Sequence, residues 1–193
     1  MFEHIKGSII KLSPASIVIE AGDIGYFVHI SLTTYSQLSG NDKAKLFLHQ
    51  VVREDAHILY GFFEESEREL FRLLISVNGI GANTAIMMLS SHKPEELQNA
   101  ILNDNVGLLK NIKGIGIKTA QRVIIDLKDK IGKIPVGNLL FRSVENPIRS
   151  EAVAALEMLG FNKKAVEKLV DQVLTEQPAI AVENLIKLAL KSF

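Results

Sequence analysis

One phrase of this sequence occurs twice. Leu74-Ile75-Ser76-Val77-Asn78-Gly79-Ile80-Gly81-Ala82-Asn83-Thr84-Ala85 returns as Leu109-Lys110-Asn111-Ile112-Lys113-Gly114-Ile115-Gly116-Ile117-Lys118-Thr119-Ala120. The offset is 35 positions (114 − 79), and it also superposes the leucines, the isoleucines between the glycines, the threonines and the last alanines. Each copy reads as an apolar helix end, a Gly-Ile-Gly turn, and a new helix opening on small and hydroxyl residues. A first glycine just past a helix lets the backbone turn through a left-handed conformation. The second glycine removes a side chain where another backbone or a phosphate would approach. The isoleucine between them is apolar and is expected to plug the turn into a core. The following helix offers unpaired N–H groups and a positive dipole end, which together make an anion site. Lys118 and Arg122 lie four apart on the second such helix and can reach one anion or its neighbour. A single Gly-Ile-Gly could equally be a plain helix–helix corner. Two copies at one offset, the second flanked by basic residues, favour phosphate binding.

Composition restricts the ligand further. The 193 residues carry 22 basic and 22 acidic side chains, so bulk charge does not drive this chain onto nucleic acid, and any DNA contact must be local and geometric. With 47% apolar residues it can build packed cores. It has no cysteine, which removes disulfide and thiolate chemistry and is compatible with a reducing cytosol. Met1-Phe2-Glu3-His4 does not resemble a secretory leader, and no apolar run approaches the roughly 18 residues of a membrane span. A cytoplasmic location is the expectation.

Residues 1–62 read as strands. His4 to Ile10, Ser16 to Glu20, Tyr26 to Ile30, Lys45 to Val52 and Ala56 to Phe62 are short and rich in β-branched or aromatic residues, with turn signals at Ser13-Pro14 and Gly22-Asp23. Five short strands suggest a small closed barrel of the OB type, the stretch from Ile30 to about Asp42 reading as a polar break. Arg53-Glu54-Asp55 joins the last two strands. A charged hairpin tip is ordinarily just solvated, yet carboxylates beside a phosphate-binding element need a reason.

Residues 63–132 read as helices built around the two glycine turns, with Pro94 in the first turn of one of them. From 133 to 147 the periodicity lapses around Pro135, Gly137 and Pro147, which reads as a flexible linker containing the apolar Leu139, Leu140 and Phe141. Residues 148–193 read as three short helices: Ser150 to Leu159, Lys163 to Leu174 with Asn162 as N-cap, and a third beginning at Pro178. The expected class is α+β and multidomain: barrel, tandem helical domain, and a small helical docking module.

Catalytic signatures are missing. There is no phosphate-binding Gly-x-x-x-x-Gly-Lys-Ser/Thr loop, no Gly-x-Ser-x-Gly elbow, and the five histidines lack metal-ligand spacing. Asp126, downstream of the second turn, is the single carboxylate worth weighing for a glycosylase-like role, against a plain solvated charge. No catalytic residue, metal or cofactor is expected.

The order of these parts resembles the RuvA family of bacterial Holliday-junction-binding proteins over essentially the whole chain. The likeness rests on Asp23-Ile24-Gly25-Tyr26, Val51-Val52-Arg53-Glu54-Asp55-Ala56, Leu59-Tyr60-Gly61-Phe62, the two glycine turns with Lys118-Thr119-Ala120-Gln121-Arg122, and Ala155-Leu156-Glu157-Met158-Leu159-Gly160-Phe161. Glycine turns alone would also fit ligases, nuclease subunits or competence proteins. The acidic tip in this order is more specific.

The resemblance implies a homotetramer that holds a four-way DNA junction open and flat through paired helix–hairpin–helix motifs. It also implies acidic tips meeting at the crossover, and a C-terminal domain that recruits a RuvB-type hexameric ATPase. That motor would consume the ATP; a RuvC-type resolvase is a further partner it admits, and no membrane is involved. Carried onto this chain, Gly79, Gly81, Gly114 and Gly116 would offer backbone N–H groups, with Asn83, Thr84, Lys118, Thr119 and Arg122 also at the DNA. Glu54 and Asp55 would form the pin, and Leu159, Phe161 and Val166 are candidates for motor contact by their apolarity. Asn83 and Ile117 stand where the family often carries lysine, which leaves the first motif to backbone groups, Asn83 and Thr84. A protein-binding scaffold with the glycine turns as corners, a helix–hairpin–helix protein without junction preference, and an enzyme acting through Asp126 are the competing readings.

Overall fold

A computed structural model describes residues 2–131, 147–177 and 180–192. The chain forms two compact units, Met1–Leu139 and Leu140–Phe193.

The first unit begins with strands β1 (His4–Ser13), β2 (Ser16–Ala21), β3 (Ile24–Ile30), β4 (Lys43–Val52) and β5 (His57–Phe62), with helix α1 (Leu32–Leu38) between β3 and β4. They close into a barrel in the order β1-β2-β3-β5-β4. All neighbours are antiparallel except β3 and β5, which pair in parallel through His29↔Tyr60 and Ile30↔Gly61. Alternate residues point inward, as a period of two requires. Ile17, Ile19, Val28, Ile30, Leu46 and Leu48 fill the barrel, closed at one end by Leu38 of α1. The five-stranded OB-type barrel expected from the strand pattern is therefore present.

Helix α1 occupies the stretch read as a polar break. Its residues, Leu-Thr-Thr-Tyr-Ser-Gln-Leu, include hydroxyl and β-branched types that give little helical signal in sequence. What holds it is capping and tertiary bonding. The Ser31 Oγ accepts from the Thr34 N–H (3.0 Å) and donates to Glu67 Oε1. Thr34 Oγ1 donates to Glu67 Oε2 (2.7 Å) and accepts from the Phe63 N–H (3.0 Å).

Glu67 is 1% exposed, and burial pushes its carboxyl above the ordinary carboxylate range; the hydroxyl donors of Ser31 and Thr34 oppose that rise. A folded state that holds this proton more tightly than the unfolded chain has the resulting stability at low pH, and loses it as pH climbs from about 4.5 through the raised pKa. Thermal melts of wild type and Glu67→Gln should therefore separate with pH, the wild type losing midpoint relative to the variant across that rise. Parallel curves would contradict the assignment.

Among the described residues, five helices complete the unit: α2 (Glu65–Ile75), α3 (Ala82–Ser91), α4 (Pro94–Leu102), α5 (Val106–Lys110) and α6 (Ile117–Ile131). Their common core contains Leu70, Phe71, Leu74, Met88, Leu97, Leu109, Val123 and Leu127, and it extends into β5 through Tyr60 and Phe62. The buried Arg68 of α2 pins the chain's start to this core. Its guanidinium pairs with Glu3, Glu65 (2.8 Å) and Glu69 (3.3 Å), and lies 5.3 Å from the centre of the Phe47 ring on β4. Barrel and helices are thus one body, so the acidic tip and the glycine turns hold fixed positions.

The second unit contains α7 (Pro147–Met158), α8 (Lys163–Glu176) and α9 (Val182–Ser192) around Ala152, Val153, Leu156, Val166, Val170, Leu185 and Ala189. Asn162 caps α8 as expected, its side chain accepting from the Lys164 N–H at 3.1 Å. Helix α7 starts at Pro147, the residue read as the end of a linker, because proline suits a first helical position. Ile180 precedes the third helix rather than lying on it. The Ala181 carbonyl takes the first bonds, from Asn184 and Leu185 (both 3.0 Å), so α9 begins after it. Pro178, expected to open that helix, and residues 132–146, where the linker reading falls, lie outside the described residues.

Candidate nucleic-acid interface

The two glycine turns are built alike, bond for bond. The Val77 carbonyl accepts from Ile80 N–H (3.0 Å) as Ile112 accepts from Ile115 (3.0 Å), and Gly81 accepts from Ala85 (2.9 Å) as Gly116 accepts from Ala120 (2.9 Å). Gly79 has φ +96° and Gly114 φ +90°, left-handed values that a side chain adopts only under strain. Ile80 and Ile115 are both 5% exposed, so each plugs its turn into the core, a burial worth about 1.5–3 kcal/mol apiece.

The second glycine of each turn is different in kind. Gly81 has φ −87°, open to any residue, and Gly116 also lies outside the left-handed range. A methyl group added to Gly81 or Gly116 would meet no protein atom within 4 Å. Neither backbone conformation nor internal packing requires glycine there, while both positions are exposed. What the missing side chain provides is access for an outside group to the N–H groups that open α3 and α6. Gly81 caps α3 with no side-chain bond, leaving those donors unpaired.

Charge then separates the copies. Lys118 and Arg122 are exposed on one face of α6, and neither joins an ion pair among the described residues. Lys113, immediately before Gly114, and Lys110, one turn upstream, are exposed as well. At the matching offsets the first copy has Asn83, Met87, Asn78 and Ile75, all uncharged. The second hairpin carries the positive charge and the first is neutral. Lys110 and Lys113 precede the second turn and have no charged counterpart in the first, so the repeat alone does not single them out. Asn83 is exposed, Thr84 and Thr119 are half-buried, and Asn83 Oδ1 accepts a hydrogen bond from the Tyr60 hydroxyl at 3.1 Å.

Glu54 and Asp55 lie on the turn from β4 to β5, closed by the Arg53 N–H bonding to the Ala56 carbonyl at 2.8 Å. Both are exposed and neither has a cationic partner among the described residues. With Arg53 beside them, the tip keeps a net negative charge at the end of the β4–β5 ladder. Asp126 is exposed on α6, one turn beyond Arg122.

Of the apolar candidates in the second unit, Val166 takes the core role that its apolarity equally allowed. It is fully buried in that unit's own core and offers no surface to a partner. Phe161 is half-buried and packs on the same core, while Leu159 is 60% exposed. Met158, next to it, is 90% exposed. Gly160, at φ +95°, ends the helix there and presents this corner. Among the described residues, no helix is long and apolar enough to cross a membrane.

A closed barrel with an acidic hairpin, fused to two open glycine turns in one core, defines a barrel-plus-tandem-helix–hairpin–helix protein. Comparison with known families gives the same order: residues 1–61 match the RuvA N-terminal domain, 71–129 the SAM-like helix-hairpin-helix tandem, and 147–192 the RuvA C-terminal domain. Relatives named Holliday junction branch migration complex subunit RuvA include one from Bacteroides thetaiotaomicron, 49% identical over 199 residues, and one from Christiangramia forsetii, 48% identical over 191, each alignment covering 99% of both chains. Another, from Flavobacterium psychrophilum, is 49% identical over 192 residues and is covered in full. The chain belongs to the RuvA family.

Proposed function

We propose that this protein binds four-way DNA junctions by their shape, independently of sequence, holds them open, and recruits a RuvB-type hexameric ATPase that drives branch migration in recombination and repair. The full-length relatives are named as subunits of a branch migration complex, which supports the assignment. The observation that carries it is the union, in one body, of two accessible glycine turns and an acidic tip of net negative charge. The turns bind phosphate, which positions a duplex without reading its bases. The tip repels phosphate, so it suits a place where backbones must be kept apart, and the centre of a junction is such a place. Gly79, Gly81, Asn83, Thr84, Gly114, Gly116, Lys118, Thr119 and Arg122 hold the arms, joined by Lys110 and Lys113; Glu54 and Asp55 are the pin. The protein acts as a non-catalytic, cytoplasmic homotetramer without cofactor, and a RuvC-type resolvase can share the junction.

The deciding experiment compares a four-way junction with a linear duplex at matched salt in a gel-shift titration. A clear preference for the junction is expected, and equal affinity for the two would sink the reading. Replacing Glu54 and Asp55 by alanine is expected to leave junction affinity unchanged or raise it, since each lost carboxylate removes up to about 1 kcal/mol of repulsion across water at 4 Å. The same variant should lose its preference for the junction over duplex. Weaker binding at low salt, with the melt unchanged, would contradict repulsion as the tip's role.

A further inference from the structure

The first hairpin has a neutral side chain, Asn83, where the second has Lys118. An asparagine amide has a donor end and an acceptor end, and only the donor end suits a phosphate. Which end faces outward is decided by what holds the other. The Tyr60 hydroxyl, on a residue only 2% exposed, lies 3.1 Å from Asn83 Oδ1, and Asn83 Nδ2 has no partner among the described residues. A phenol has one hydrogen to give, and burial raises the Tyr60 pKa, so it keeps that hydrogen at neutral pH. The ring itself is wedged in an aromatic cluster, 5.2 Å from Phe71 and 5.6 Å from His29 between centroids, with Phe71 in turn 4.9 Å from Phe62. The hydroxyl therefore stands on a rigid base.

Tyr60 also lies on the strand that leads away from the acidic tip. From Val52↔His57 to His49↔Tyr60 the hairpin is an unbroken antiparallel ladder, a span of about 10 Å at ~3.4 Å per residue. One end carries Glu54 and Asp55 and the other is hydrogen-bonded to the first glycine turn.

We propose that Tyr60 is a positioning residue for the first hairpin: its hydroxyl holds the Asn83 oxygen so that the amide N–H₂ is presented to phosphate. Asn83 thereby serves as a neutral, aimed substitute for lysine, registered against the strand that bears the acidic tip. The inference rests on the junction-binding reading above, and it gives a barrel residue a part in DNA binding that it plays through Asn83.

The test is a double-mutant cycle read as junction affinity at fixed salt, with thermal melts as the fold check. Asn83→Ala is expected to weaken binding about 3- to 10-fold, the range of one neutral hydrogen bond, and Tyr60→Phe to weaken it comparably. The double variant should be no weaker than Asn83→Ala alone, because the two act as one unit. Neither change should alter the salt slope, since no cation is lost, whereas Lys118→Ala should flatten it. Asn83→Lys placed in the Tyr60→Phe background should restore affinity, because an ammonium needs no aiming. Asn83→Asp, which keeps the acceptor for Tyr60 and removes the donor, should bind worse than Asn83→Ala, a measurement that does not depend on how Tyr60→Phe folds. Wild-type affinity in Tyr60→Phe, losses that multiply in the double variant, or an Asn83→Asp protein that binds normally would each overturn the proposal while leaving the junction reading intact. A wild-type chain without junction preference, or one whose Lys118→Ala variant keeps its salt slope, would overturn the parent reading instead.

Discussion

Alanine at both Lys118 and Arg122 is expected to lower junction affinity about 100-fold or more while leaving the thermal midpoint nearly unchanged. Both side chains are exposed and outside any ion pair among the described residues, so the folded chain loses little with them. At the DNA each would lose a charge-assisted bond to phosphate worth about 1.5–3 kcal/mol, and about 3 kcal/mol together is two decades in affinity. The slope of log affinity against log salt should also flatten by about 0.9 for each phosphate released, roughly 1.8 for the pair. The matched change in the first hairpin, Asn83 and Met87 to alanine, removes no charge and should leave the slope alone. An unchanged slope in the Lys118/Arg122 variant would mean that α6 does not carry the electrostatic part of the grip. The scaffold reading would then regain its standing.

Removing residues 147–193 is expected to leave junction affinity and the melt of the first unit intact and to abolish stimulation of a partner motor's ATPase. The second unit owns its core and its ion pairs: Arg149 with Asp171 and Lys163 with Glu157 join helices of that unit, and Arg149 holds the Asp171 carboxyl below its ordinary range. The residues that form the barrel core and the core around the glycine turns all remain in the truncated chain. Within the unit, the exposed corner of Met158 and Leu159 is where a docking contact would bury apolar area, and alanine at both should reduce motor stimulation without unfolding it. Val166→Ala would instead open a cavity in a small core, at a cost of about 0.5–2 kcal/mol or more, and lower its melting point. Full motor stimulation by the truncated chain would remove the docking assignment.

Much of this architecture was legible in the sequence, and for one reason. The repeat, the strands and the amphipathic helices are short-range patterns, set by periodicity and by glycine's backbone freedom, which neighbouring residues determine. Ile80 and Ile115 could be placed in the core because an apolar residue between two glycines has nowhere else to be buried. The features that escaped depend on distant partners. Helix α1 has no strong pattern of its own and is held by Glu67, more than thirty residues further on. Val166 and Leu159 are equally apolar, yet one faces the bundle's centre and the other solvent, which only the packing of three helices decides.

The sequence by itself determined that this chain has a barrel, two Gly-Ile-Gly turns and a family, because those rest on local grammar and on residue order. Tertiary structure decided what each part can do. It showed that Gly81 and Gly116 are open without conformational need, that Glu54 and Asp55 join no ion pair among the described residues, and that Tyr60 reaches from the barrel to Asn83. The physical reason is that access, unpaired charge and the aim of an amide are properties of what surrounds a residue in space.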